Sequence, residues 1–395
     1  MWFVFVAVGL ALVIAAGIYT RRRLGTSLAE VGVGARPIRI MRWVSAWLLF
    51  GFPVLVILTI TGSVVLGRES IPRFEGLAAA WLLGVPFLWS VLVVLQSLPW
   101  LIVIDLAYLA VRRRERARRW RAIATLAVMG GFAIYTPVRI AAERGSLRVR
   151  QFSLGEGAAP PFRLAFVADL QQDAHTDEER AAEVVVAINA HQLDVVLSGG
   201  DWINSSAEYN DAAARTAGSL RSRLGTFTVL GDHEHFAYFD RERSVREIEA
   251  AMASHGVAML DNQIRIFEHA GKRIGVAFVN YNYVTRSPFP MIDALLEKLA
   301  GVDYKIVVTH QLDERLAGHL ANRVELILAA HTHGGQVNPV IGVVHVPLAR
   351  LETRYIDGRY QLGSTTIIVT AGIGYSLVPI RYAASSSLEI IELRL

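Results

Sequence analysis

Cysteine is absent from the 395 residues. That excludes a disulfide framework and every thiolate metal site, so a bound metal would have to use His, Asp, Glu, Asn or Gln; it leaves the redox compartment open. Solenoid-type repeats and low-complexity tracts are missing too. Acidic residues are scarce in one half only. Residues 1–150 hold 6 Asp+Glu against 19 Lys+Arg, a net +13, whereas residues 151–395 hold 29 against 21, a net −8. The overall +5 therefore describes neither half. The basic residues stand in arginine clusters between apolar segments, so they signal membrane topology rather than a nucleic-acid surface.

Residues 2–20 are uncharged and long enough to cross roughly 30 Å of hydrocarbon. A signal peptide carries its charges before the apolar core; here Arg21, Arg22 and Arg23 follow it, so an uncleaved span is expected. Further spans are expected at about 43–67, 77–110 and 122–138, giving a helical transmembrane domain over 1–145 with about four helices. The third exceeds one crossing and should tilt, kink at Pro86 or Pro99, or run on along the interface; the fourth is short and contains glycine. The first loop carries Arg21, Arg22, Arg23, Arg36, Arg39 and Arg42, and the third Arg112, Arg113, Arg114, Arg116, Arg118, Arg119 and Arg121. The second has only Arg68 and Arg73. Basic loops stay in the cytoplasm, so loops one and three are cytoplasmic and everything after about residue 139 lies outside. The expectation is a multi-pass protein of the plasma (inner) membrane with an extracytoplasmic second domain; if the fourth segment does not cross, that domain is cytoplasmic. Asp105 is expected to pair with an arginine rather than to relay protons.

From about residue 160, short β-branched runs alternate with amphipathic stretches, an α/β pattern. Several apolar runs end in a potential ligand. Arg163–Val167 leads to Asp169; Leu193–Ser198 to Gly199-Gly200-Asp201; Gly225–Leu230 to Gly231-Asp232-His233-Glu234-His235. Tyr304–Thr309 leads to His310, and Leu326–Ala330 to His331-Thr332-His333-Gly334-Gly335-Gln336. Residues 177–190 and 241–254 have helical spacing, while 273–279, 365–370 and 387–393 read as strands. A single acid after a strand is commonly a turn or cap residue, but five strand ends that all carry oxygen or imidazole donors point to one crevice. Carboxylates and imidazoles without thiolate suit Mn, Fe or Zn, and a shared carboxylate would hold two ions about 3.5–4 Å apart.

In this order, Asp169-Leu-Gln171, Gly200-Asp201, Gly231-Asp232-His233-Glu234, His310 and His331-Thr-His333-Gly-Gly-Gln336 resemble the calcineurin-like metallophosphoesterase superfamily, in particular its bacterial membrane-anchored branch. The likeness covers roughly 160–395, including Gly372-Ile-Gly374-Tyr-Ser and Pro379-Ile-Arg381. It implies a four-layer α/β/β/α sandwich over 155–395 with two divalent metal ions (Mn, Fe or Zn) at the strand ends. By the same resemblance, Asp169 and His333 bind the first metal, Asp201 bridges, and Asp232, His310 and His331 bind the second. His233 corresponds to the catalytic histidine, Glu234 would orient it, and Gln336 would hydrogen-bond near the metals. Gln171 stands where the family has histidine; its neutral oxygen would weaken the first site or favour Mn, or His175 would swing in instead. Asp232 stands where asparagine is usual and would tighten cation binding while making a bridging water less acidic. His235 adjoins the catalytic motif but equally reads as a solvent-exposed turn residue, Asn280 and Asn282 could line the cleft, and His191, His255, His269, His319 and His345 read as structural.

The expected activity is hydrolysis of a phosphomonoester or phosphodiester by metal-activated water. Attachment to the bilayer favours a phospholipid or lipid-linked substrate over a soluble ester or cyclic nucleotide. The alternative is a weakly active or non-hydrolytic metal-binding sensor or scaffold at the membrane; no nucleic-acid partner is expected, and the oligomeric state is open. A topology reporter fused after residue 395 should signal from outside the cell, and a cytoplasmic signal would mean that one span fails to cross.

Overall fold

The computed structural model describes residues 2–68, 79–376 and 378–395, with side chains from residue 11 onward. The first two residues of the expected span 77–110, and Arg73, lie outside the described residues. The chain divides into two compact units. One comprises Met1–Leu66, Pro72–Arg144 and Asn338–Val346; the other comprises Gly67–Ile71, Gly145–Val337 and Pro347–Leu395.

The first unit is built from α1 (Trp2–Glu30), α2 (Ala35–Val65), α3 (Val85–Val111, preceded by the π-helical turn Ala80–Gly84) and α4 (Ala117–Glu143). Three stretches, Ala35–Val65, Ala80–Val111 and Ala117–Glu143, are long and apolar enough to cross a membrane. The short fourth segment is thus the middle of a 27-residue helix that continues through Gly130, Gly131 and Pro137. Large apolar side chains such as Trp43, Ile57, Leu58 and Leu106 are exposed on these helices, as lipid contact requires. Several polar groups inside the unit are paired. Asp105 accepts from Arg121 Nε at 2.8 Å, Arg23 Nε at 3.2 Å and the Tyr19 hydroxyl at 2.8 Å. Gln96 Nε2 donates to Thr136 Oγ1 at 3.1 Å, and its Oε1 accepts from the Val340 amide at 3.3 Å. Val340 belongs to the hairpin of Val340–Ile341 and Val344–His345, an uncharged excursion that groups with the helices.

The second unit contains two six-stranded sheets. The first has the order β1 (Leu147–Gly155), β14 (Ser386–Arg394), β2 (Phe162–Val167), β3 (Val195–Ser198), β4 (Thr226–Thr228), β5 (Val257–Met259). The second runs β12 (Gly358–Leu362), β13 (Thr365–Val369), β9 (Leu326–Ala329), β8 (Tyr304–Thr309), β7 (Lys272–Val279), β6 (Gln263–His269). Strands β2 to β5 run parallel to one another, as do β7, β8, β9 and β13, while β14, β6 and β12 pair antiparallel with β2, β7 and β13. Both faces of these inner strands are covered, which is why they read as unbroken apolar runs. Alternation then sorts their side chains. Leu164, Phe166, Val195, Leu197, Val276, Phe278, Ile306, Val308, Leu326 and Leu328 pack between the sheets. Their alternates in the first sheet, Ala165, Val167 and Val196, meet α5 (Glu178–Asn189), α6 (Asn210–Gly218) and α7 (Arg241–Ser254). In the second sheet, Ala277, Val279, Val307 and Ile327 meet α8 (Phe289–Lys298) and α9 (Glu314–Leu320). The result is the α/β/β/α sandwich.

Two boundaries differ from expectation. The sandwich starts before residue 155, because Leu147–Gly155 pairs in parallel with β14 along its whole length. Its sequence, with Arg148 and Arg150 alternating with Leu147 and Val149, is that of an edge strand with a half-exposed face, a weaker signal than the inner strands give. Residues 338–346 also leave the second unit for the first. Phe278 is fully buried between the sheets with the Phe227 ring centroid 6.1 Å away. Phe278→Ala should cost about 3–5 kcal/mol, read as a lowered unfolding midpoint of the purified full-length protein.

Candidate metal centre

The parallel strands of both sheets point their carboxyl ends the same way, and the residues that follow them meet. Asp169 Oδ1 lies 3.9 Å from His310 Nδ1, and Asp201 Oδ2 lies 3.5 Å from His310 Nε2. Asp232 Oδ2 lies 3.2 Å from His310 Nε2 and 2.8 Å from His331 Nδ1, and the two rings approach to 3.3 Å. Two groups thus have donor atoms mutually within 4.8 Å, Asp169–Asp201–His310 and Asp232–His310–His331. Gln171 Nε2 joins the far side, 2.9 Å from Asp201 Oδ2 and 3.3 Å from His333 Nε2. All seven expected ligands therefore share one crevice. His310 is the residue common to both groups; Asp201 reaches His310 and Gln171 through the same oxygen.

The backbone is bent to achieve this. Of the ten described non-glycine residues with positive φ, six are Asp169, Gln171, Asp201, His331, His333 and Gln336. Each such conformation costs on the order of 1–3 kcal/mol and persists only where the surroundings enforce it. Glycines supply the room. A Cβ on Gly231 would stand 2.1 Å from Asp201 Oδ1, and one on Gly372 would stand 2.5 Å from Asp169 Cβ.

The hydrogen bonds also select which imidazole nitrogens face inward. His310 Nδ1 is 2.7 Å from the Gly199 carbonyl and donates to it, leaving Nε2 as the nitrogen that faces Asp201 and Asp232. His331 Nε2 is 3.4 Å from Glu352 Oε2, leaving Nδ1 for Asp232. A carboxylate or carbonyl behind an imidazole is the usual support for a metal-binding histidine. Gln171 Oε1 is buried with no hydrogen-bond partner among the described residues. Turning the amide over would bring that oxygen against the Asp201 carboxylate, an arrangement that only a cation between them makes favourable. The donor set of oxygens and imidazoles fits a divalent ion such as Mn, Fe or Zn.

Other expected residues are placed differently. Glu234 does not reach the His233 ring; its carboxylate accepts from the amides of Asp201, Trp202 and Gly231 at 3.0, 2.6 and 2.8 Å. It tethers the Asp201 and Asp232 loops, being too short and too buried to swing outward. His233 instead meets the Asn204 carbonyl through Nδ1, and its amide donates to Asp201 Oδ1 at 2.8 Å. The Gln336 side chain bonds no candidate ligand; only its backbone amide meets one, donating to the His333 carbonyl at 2.9 Å. Its Nε2 donates to the carbonyls of Ser376, Val378 and Ile380, and its Oε1 accepts from the Ser376 amide, so it clamps that loop. The ring of His175 makes no hydrogen bond among the described residues, and its amide donates to Asp173. His235 is buried rather than a solvent-exposed turn residue. Asn280 and Asn282 bond each other and shape the turn that brings the Tyr283 amide to Asp232 Oδ1 at 2.6 Å.

Three supporting residues carried no role in the sequence reading: Glu352, Tyr283 and Arg381. Tyr283 packs edge-on against the His331 ring at 4.8 Å. Arg381 is 2% exposed and donates to the carbonyls of His333, Ala371, Gly374 and Ala384, so one guanidinium ties together the three loops around Asp169 and His333. A basic residue inside an otherwise apolar closing segment was the available signal.

Residues 162–335 match the family model for calcineurin-like phosphoesterases. An uncharacterised metallophosphoesterase of Helicobacter pylori (strain J99) is 27% identical over 235 residues, 59% of this chain and 59% of that protein. Phosphodiesterase YaeI of Escherichia coli (strain K12) is 24% identical over 238 residues, 60% of this chain and 83% of that protein. A bovine transmembrane protein with metallophosphoesterase domain is 27% identical over 243 residues, 58% of this chain and 52% of that protein. The match thus spans less than two thirds of the Helicobacter and bovine proteins.

With no cation, the cage titrates far from ordinary values. Burial, reinforced by Asp201, pushes Asp169 up to about 7 and Glu234 up to about 7. Burial would raise Asp232 as well, but hydrogen bonds from His310 and His331 hold it well below the carboxylate range. Burial opposes charge on His310, yet Asp201, Asp232 and Asp169 raise it well above 6.5. His331 rises from 6.5 to about 9 against the same burial, through Asp232 and Glu352. His333, buried and facing Arg381, is lowered instead. A folded-state histidine pKa above its unfolded value stabilises fully below pH 6.5, and that stability is lost as pH rises through about 9. The chelator-treated full-length protein should therefore lose roughly 5 °C in unfolding midpoint between pH 7 and 9, while the Mn-loaded protein changes little, as thermal denaturation with and without chelator would show.

Proposed function

Because residues 162–335 make this chain a member of the calcineurin-like metallophosphoesterases, we propose that the crevice is a two-metal centre that hydrolyses phosphoesters. The carrying observation is that donor atoms from five strand ends converge, with His310 Nε2 and His331 Nδ1 as the imidazole nitrogens that face inward. In this reading Asp169, Gln171, Asp201 and His333 hold one divalent ion, and Asp201, Asp232, His310 and His331 hold the other. Such a pair supplies an acidified water as nucleophile and offsets charge on the phosphoryl oxygens.

The chain's own groups do the rest. His233 is half-buried at the crevice; with Nδ1 held by the Asn204 carbonyl, Nε2 is the nitrogen available to a phosphoryl oxygen or leaving group. Glu234 fixes the spacing of the Asp201 and Asp232 loops, and Glu352 and Tyr283 orient His331. Arg381 keeps Asp169 and His333 in place without offering a ligand.

The substrate is a phosphomonoester or phosphodiester, with a phospholipid or lipid-linked phosphate favoured. Support comes from the apolar helices and from the 338–346 hairpin, which begins five residues after His333, contains no charge, and exposes Val343 and Val344. The catalytic unit is read as extracytoplasmic on the plasma membrane. A scaffold reading has one specific motive, since Gln171 and Asp232 depart from the family pattern.

Full-length protein in detergent with Mn should hydrolyse bis(4-nitrophenyl) phosphate. Asp201→Asn and His331→Ala should each lower turnover by more than about a hundredfold, and Glu352→Gln by about 10–100-fold. Stoichiometric metal by elemental analysis, with no turnover of any phosphoester and any divalent ion, would leave the scaffold reading instead.

A further inference from the structure

The helical unit contains a cavity of about 690 Å³ between α1, α3 and α4 that shares no residue with the metal centre. Four arginines line it, Arg22, Arg23, Arg118 and Arg121, with Glu30 as the one acid on its wall. Arg23 and Arg121 are already fixed, since both bond Asp105. Arg23 also reaches the Arg121 carbonyl at 3.4 Å, and Arg121 stacks on Tyr108 at 4.5 Å. One carboxylate is thus shared by two guanidiniums. Arg22 and Arg118 are exposed and make no ion pair among the described residues. Four arginines against Glu30 and the adjoining Asp105 leave a net charge of +2 around the cavity.

Ala15 and Ile18 give the cavity wall an apolar part, and Ile14 continues it along α1 just outside the cavity. Ile14, Ile18 and Arg22 stand four residues apart on α1 and so form one stripe, with the two isoleucines 37% and 38% exposed. A guanidinium at the end of an aliphatic stripe, at the mouth of a cavity between helices, matches an amphipathic anion. Loop charge that only sets topology needs no such frame, and Arg112, Arg113 and Arg114 lie outside the cavity.

We propose that this cavity binds a phosphate-bearing anion through Arg22 and Arg118, and that the apolar stripe makes the ligand an anionic phospholipid headgroup. The Arg23–Asp105–Arg121 cluster and Tyr19 form the rigid frame, and the acyl chains run along Ile18 and Ile14. Basic pockets between transmembrane helices at the cytoplasmic end are suited to such headgroups. The ligand's role here is separate from turnover at the metal centre.

The test uses full-length protein in a neutral detergent, followed by tryptophan fluorescence on heating. Added dioleoylphosphatidylglycerol should raise the unfolding midpoint by roughly 3 °C or more, and dioleoylphosphatidylcholine should not. The double variant Arg22→Ala/Arg118→Ala should lose the shift. The control Arg112→Ala/Arg113→Ala, which removes the same charge outside the cavity, should keep it. An equal shift from inorganic phosphate alone would overturn the lipid assignment in favour of free phosphate. No shift with either probe, or a shift that survives in the cavity variant, would overturn the site.

Discussion

Asp169, Asp201, Asp232, His310, His331 and His333 are driven into one nearly dry crevice, where like charges cannot all ionise unless a cation joins them. That electrostatic constraint organises the second unit. It explains why Asp169 resists ionisation, why Asp232 gives up its proton to two histidines, and why the Gln171 oxygen is left without a partner. Six left-handed non-glycine residues mark where backbone strain is accepted so that the donors face inward. Gly231 and Gly372 remain because any side chain there would collide with the carboxylates.

The double-sheet architecture is what can bear that load. Packing between the sheets and beneath two helical layers buries both faces of the central strands, so their ends are held rigidly. Loops from the two sheets then interlock through ordinary backbone bonds. Ile373 and Gly374, beyond β13 of the second sheet, donate to the Asp169 carbonyl of the first, and Ser387 donates to Gly372. Glu234 and Arg381 complete the lattice from opposite charges, one accepting three amides and the other donating to four carbonyls. Neither faces a side chain of opposite charge at those bonds, so each satisfies backbone that the strained turns would otherwise leave unpaired.

Much of this was legible in the amino-acid order. The inner strands announce themselves as apolar runs, and their terminal ligands stand at fixed offsets, so Asp169, Asp201, Asp232, His310, His331 and His333 could be named in advance. Glu234 and Gln336 could be named too, but their partners could not. Motif position says that a residue matters to a turn, whereas its hydrogen bonds depend on which loop lies across the crevice. Strand β1 was missed because an edge strand with alternating arginines carries little hydrophobic signal. The hairpin at 338–346 was missed because its allegiance to the helical unit is decided by contacts hundreds of residues away in sequence, such as Val340 with Gln96.

By itself, the amino-acid order determined the local chemistry: apolar helical spans, a sandwich of short buried strands, and donor residues placed just beyond strand ends. These follow from periodicity and residue type, which act between near neighbours. Only the tertiary structure decided that His310 would be the donor common to both groups, that Glu352 and Gly199 would set the imidazole tautomers, and that Arg381 would brace the loops. It also decided that Arg23 and Arg121 would share Asp105 while Arg22 and Arg118 stayed free of ion pairs among the described residues. Each of these depends on distances between residues far apart in the chain, and such distances are fixed only when the burial of every element is satisfied at once.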